Sequence, residues 1–128
     1  MQDSLPKRTL GRTGLEVTQL GFGTAERGLS DDAEADPQAE RILNAVLDAG
    51  INFIDTSPDY GHSEQRIGRF ISSRRSEFIL ATECGCVTTQ HDDHLELDHV
   101  WKKEVIRRNI ETSLERLRTD TIDILQFH

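Results

Sequence analysis

The sequence lacks the features that would send it to a membrane, a nucleic acid or an oxidising compartment. No apolar run approaches the roughly 20 residues needed to cross a bilayer, and the opening MQDSLPKRTL has no apolar segment of the signal-peptide kind. Basic residues are outnumbered 15 to 23, giving a formal charge of −8 that repels polyanions and anionic lipid. Cysteine occurs twice, at Cys84 and Cys86. On an extended chain these two point to opposite faces, so a disulfide between them would be strained, and free thiols in the cytoplasm are expected. Glycine is too sparse around Gly21 and Gly23 for a dinucleotide fingerprint, which needs a third glycine and an opening helix.

What is present is enough for one domain. Apolar residues make up 35% of the 128 and charged residues 30%, a polar but foldable balance. KRTL, GRTG and LEVTQ read as a β-hairpin, and LGFGT, residues 20–24, as a short buried strand. Residues 25–35 carry no apolar period and are expected to be a loop. Asp36 and Pro37 predict a helix start, with Asp36 as the cap; Ile42, Leu43, Val46 and Leu47 give it one apolar face and Gly50 its stop. INFIDTS is a second strand. Ser63 and Glu64 open a second helix with Ile67, Phe70 and Ile71 inside, which runs to a basic end at Arg74 and Arg75. FILAT is a third strand. Residues 84–100, polar and rich in histidine, are expected to be loop. A third helix carries Val105, Ile106, Ile110, Leu114 and Leu117 at three- and four-residue steps, and TIDILQFH is a fourth strand.

Strict alternation of buried strands and amphipathic helices predicts a parallel sheet with right-handed crossovers. Periodicity alone leaves open a doubly wound sheet or part of a barrel. Both place chemistry at the C-terminal ends of strands, which selects Asp55 and Tyr60 after strand two, Glu83 and Cys84 after strand three, and His128 after strand four. Each also has an ordinary structural reading: Asp55 capping a loop, Tyr60 as a turn aromatic, His128 as a surface residue.

Four phrases narrow the choice. LGRTGLEVTQLGFGT, AGINFIDTSPDYGHSEQRIGR, FILAT and RRNIETSLERLRTDTIDILQFH are similar, in order and spacing, to the N-terminal half of aldo-keto reductases. The most specific piece is DTSPDYGHSE. The resemblance implies an α/β fold of the (β/α)8 TIM-barrel type. Residues 1–128 would supply its N-terminal half, about four parallel strands and three helices after the hairpin. It also implies carbonyl/alcohol interconversion with NADP(H) on a small carbonyl substrate. In that family a tetrad of Asp, Tyr, Lys and His surrounds the carbonyl; Tyr donates the proton, Lys paired with Asp lowers the Tyr pKa, and His orients the substrate. Asp55, Tyr60 and His128 match. The lysine position holds Glu83, which should raise the Tyr60 pKa and crowd Asp55 with a second carboxylate. The cofactor's nicotinamide end would meet Gly23, Thr24 and Asp55, while the loops that hold its adenosine and phosphates lie in the other half, so weak binding is expected. A different implication is a non-catalytic relative that binds cofactor or a partner without turnover.

Two further expectations concern the surface. Cys84, Cys86, His91, His94 and His99 lie close in sequence, but zinc sites usually separate paired cysteines by two or more residues, so a solvated loop and no metal are expected. A complete barrel needs about 250 residues. With four strands visible, the first and last would present open edges prone to self-association.

Overall fold

A computed structural model describes residues 4–25, 29 and 35–128. Among them the chain forms eight strands and three α-helices. The hairpin pairs β1 (Lys7–Thr9) antiparallel with β2 (Glu16–Thr18). Its turn contains Gly11 and Gly14 at φ 52° and 75°, values that only glycine adopts at little cost. The hairpin is anchored to the rest of the chain by Asn52, whose side chain accepts from Thr18 N–H at 2.7 Å and donates to Glu16 O at 2.9 Å.

There follow β3 (Phe22–Gly23), α1 (Asp36–Asp48), β4 (Phe53–Asp55), α2 (Ser63–Ile71) with a 3-10 extension (Ser72–Glu77), and β5 (Ile79–Cys84). Then come β6 (Cys86–Gln90), β7 (Leu95–His99), α3 (Lys103–Leu117) and β8 (Ile124–Phe127). β3, β4, β5 and β8 make one parallel sheet in that order, with β3 and β8 at its edges. This is the α/β arrangement expected, with the hairpin before it.

Side-chain alternation along the strands divides the sheet into two faces. Ile54 and Leu80 are fully buried and pack in one cluster with Leu43 and Leu47 of α1, Ile67 and Ile71 of α2, and Leu117 of α3. That is the helix-covered face. Residues one step along, Asp55, Ala81 and Glu83, look the other way, and the register Glu83↔Gln126 brings Gln126 beside them. On the helix side of β8, Leu125 and Phe127 stay exposed, at 41% and 76%.

Three expectations are corrected. The segment 84–100 is not loop: β6 and β7 pair antiparallel over five residues, closed by a turn in which His91 N–H donates to His94 O at 2.9 Å. These strands lie mostly in solvent, so they lack the apolar run that marks a buried strand. Asp36 does not cap α1. Its carboxylate instead accepts from Arg66 Nε at 2.9 Å and Arg69 Nη1 at 2.6 Å, and Arg66, 2% exposed, also donates to Leu29 O. A long-range guanidinium outcompetes the local backbone, since paired charges form the stronger bonds; these partners hold the Asp36 carboxyl below the usual range. The first barrel strand is also shorter than 20–24, comprising Phe22 and Gly23. The expected loop at 25–35 falls mostly outside the described residues.

Candidate active site

The parallel register carries every candidate to one end of the sheet. Asp55 closes β4, opposite Gly23 of β3 and Ala81 of β5. Thr24 N–H and Oγ1 both donate to Asp55 O, at 3.1 and 3.0 Å, and Thr24 O accepts from Ser63 Oγ at 2.7 Å. Thr24 is therefore a backbone lock between β3, β4 and α2, fully buried and with its hydroxyl already used. Gly23 is exposed, and a Cβ there would meet nothing within 4 Å, so its backbone is open to an approaching group.

Asp55 turns its carboxylate to the uncovered face, where Gln126 Nε2 donates to Oδ1 at 2.9 Å. Burial lifts its pKa and the Gln126 bond opposes the rise. Tyr60 sits in the turn that leads into α2, accepting from Ser63 N–H at 2.9 Å and donating its own N–H to Ser57 O at 3.1 Å. Its phenol is pushed above the ordinary range, first by burial and then by the charges of Glu83, Asp55 and Asp59. These charges matter because a neighbouring anion disfavours phenolate.

His128 follows β8, held by its N–H to Cys84 O at 3.1 Å. Its Nδ1 lies 2.7 Å from Glu83 Oε2 and 3.2 Å from Asp59 Oδ2. Asp55, Tyr60, Glu83 and His128 are thus brought to one rim. Three more residues join them that sequence reasoning did not select for this rim: Gln126, Asp59 and Cys86, the last 3.6 Å from His128 through Sγ. Burial and Asp59 push the Cys86 thiol up to about 12. Asp59 had a readable signal, standing next to Tyr60 in the motif; Cys86 and Gln126 needed the register.

The stretch that carries this sheet and its rim, residues 19–128, matches a family model, "Aldo/keto reductase family". The chain belongs to the aldo/keto reductase family. Among curated proteins, this aldo/keto reductase chain is 37% identical over 126 residues to L-galactose dehydrogenase of Arabidopsis thaliana, covering 94% of the chain and 37% of that protein. It is 36% identical over 134 residues to D-threo-aldose 1-dehydrogenase of a Pseudomonas species, covering 90% and 41%. A solved aldo-keto reductase of Bacillus halodurans in its holo form superposes with TM-score 0.82 at 37% identity, over 97% of this chain and 40% of that one. The fold accordingly matches part of a (β/α)8 barrel, and the chain spans about 40% of the length of the curated relatives it matches. Among the described residues no helix is long and apolar enough to cross a membrane.

Proposed function

We propose that residues 1–128 act as the N-terminal half of an NADP(H)-dependent aldo/keto reductase that interconverts carbonyls and alcohols, with Glu83 at the lysine position holding its turnover low. The observation that carries this reading is the convergence of Asp55, Tyr60 and His128 at the C-terminal rim of one parallel sheet, on a chain of this family. The cofactor, when bound, supplies the hydride. Gly23 and Asp55 fit its nicotinamide and ribose end, because Gly23 leaves open space and the Asp55 carboxylate faces the rim; Thr24 shapes that edge through its backbone. Tyr60 would give the proton to the carbonyl oxygen as the hydride arrives at carbon, yielding the alcohol, and His128 would orient the substrate.

The test joins the chain to the C-terminal half of a relative and follows NADPH oxidation with an aldehyde. Slow turnover that Tyr60→Phe removes is expected. Turnover indifferent to Tyr60→Phe would sink the reading. A specific observation favours a second one, a non-catalytic relative: Glu83 replaces a cation with an anion beside the phenol and occupies His128 at 2.7 Å. No NADPH oxidation in the joined protein, with cofactor binding retained, would select it.

Taken alone, the chain should associate with itself through β8. Leu125 and Phe127 expose apolar area along the edge strand β8, and an unpaired edge of that kind recruits another. Sedimentation velocity should show concentration-dependent self-association that Phe127→Ser weakens; a strictly monomeric boundary for the parent chain would contradict it.

A further inference from the structure

The rim holds a second constellation, which shares only His128 with the carbonyl site. Cys86 and His99 are direct partners across the β6–β7 ladder, and direct partners project from the same face. The base of this hairpin is fixed. Val100 N–H donates to Gly85 O at 2.7 Å, while Asn109 of α3 accepts from Gly85 N–H at 2.8 Å and donates to Cys86 O at 2.9 Å. Asp59 arrives from the loop after β4 and His128 from the end of β8. One donor atom from each of Asp59, Cys86, His99 and His128 lies within 4.8 Å of the other three.

Distances decide what such a cluster can hold. Tetrahedral zinc with Zn–N of about 2.0–2.1 Å and Zn–S of about 2.3 Å sets ligand-to-ligand edges of about 3.3–3.6 Å. Asp59 Oδ2 is 3.1 Å from His99 Nε2 and 3.2 Å from His128 Nδ1, and Cys86 Sγ is 3.6 Å from the same Nδ1. These edges need only a few tenths of an ångström of adjustment.

Hydrogen bonding explains the cluster less well. His128 Nδ1 has one proton or one lone pair, yet Asp59, Cys86 and Glu83 all approach it. Glu83 Oε2, at 2.7 Å, is out of line for a hydrogen bond, and it and Asp59 Oδ1 are buried without a hydrogen-bond partner among the described residues. The Asp59 side chain is only 6% exposed. Two carboxylates gathered out of water call for a positive charge among them. A lysine at position 83 would have provided one; Glu83 removes it and adds a negative charge.

We infer that Asp59, Cys86, His99 and His128 bind one divalent transition-metal ion of the zinc class. One sulfur, two imidazole nitrogens and one carboxylate oxygen suit zinc or cobalt, whereas magnesium and calcium take oxygen donors throughout. Four protein ligands make the site structural, tying the β6–β7 hairpin to the ends of β4 and β8. His99 and His128, partly exposed, give the ion its way in. The cysteine-histidine run of the sequence contributes only in part: Cys84 belongs to the buried face of β5, and His91 and His94 stack on each other at the far tip of the hairpin. The inference does not rest on carbonyl reduction.

Cobalt(II), titrated into the chelator-treated chain, reports a thiolate ligand by a near-ultraviolet charge-transfer band and four-coordination by intense visible bands. One equivalent should bind with both signatures, and zinc should displace it and raise Tm. Cys86→Ser should abolish the charge-transfer band. His99→Ala should weaken cobalt binding by about 100-fold or more, since losing a ligand exceeds the effect of losing an outer partner. Glu83→Lys should do the same by charge. His99 and the tip histidines lie outside the hydrophobic core, so their variants keep the fold, as circular dichroism verifies. The double variant His91→Ala/His94→Ala should bind like the parent. No stoichiometric binding, or binding that survives His99→Ala but is lost with His91 and His94, overturns the inference.

Discussion

Glu83→Lys should raise kcat for aldehyde reduction by about 100-fold or more once the chain is joined to a complementary half-barrel, within the range a tuned general acid contributes. The direction follows from charge. In this chain burial and the anions Glu83, Asp55 and Asp59 all push the Tyr60 phenol up, making it a poorer proton donor at neutral pH. A cation at position 83 reverses the Glu83 contribution and gives Asp55 an opposite charge instead of a like one. Tyr60 is the single tyrosine, so the tyrosinate absorbance of the chelator-treated chain reads this group alone. Its midpoint should lie above the ordinary value of about 10, fall in Glu83→Gln, and fall further in Glu83→Lys. Identical midpoints in the three proteins would show that residue 83 does not act on the phenol. A lowered midpoint without faster turnover would place the rate limit elsewhere.

How far the sequence reaches toward this site depends on the range of each interaction. Asp55, Tyr60 and His128 were readable because each stands at the end of an apolar strand phrase or in the turn after it, and parallel strands deliver their C-terminal ends to one rim whatever the exact register. Glu83 was readable as a departure from a phrase, FILAT followed by Glu instead of Lys. The β6–β7 hairpin was not, since most of its residues face solvent and the Leu95-Glu96-Leu97-Asp98 alternation is too short to stand out from polar loop. The meeting of Asp59, Cys86, His99 and His128 follows only from the Cys86↔His99 pairing together with the β5–β8 ladder, and both are matters of register. Asp36 shows the converse failure. Local chemistry made it a helix cap, and Arg66, 30 residues on, took the carboxylate instead.

Gly68→Ala should cost about 3 kcal/mol or more, enough to bring a chain of ordinary stability, about 5–15 kcal/mol, close to unfolding. Within α2 the exchange is locally favourable, because alanine is the better helix former by about 1 kcal/mol. Packing overrides it. A Cβ at Gly68 would lie 2.0 Å from Arg116 O and 2.8 Å from Leu117 C, backbone atoms of α3 that cannot swing aside as a side-chain tip does. Overfilling a well-packed interior commonly costs about 1–3 kcal/mol, and a clash of backbone with Cβ stands at the upper end or beyond. Relief requires α3 to move away from α2, opening the cluster around Ile67, Ile71 and Leu117. The displaced helix also carries Asn109, whose amide holds Gly85 and Cys86, so cobalt affinity should fall together with stability. Urea titration gives the first quantity. Gly23→Ala, where a Cβ meets nothing within 4 Å, serves as the comparison and should leave the midpoint nearly unchanged. A Gly68→Ala midpoint equal to or above that of the parent would mean that α2 and α3 are not packed backbone to backbone, and the clamp that Asn109 places on the hairpin would lose its support with them.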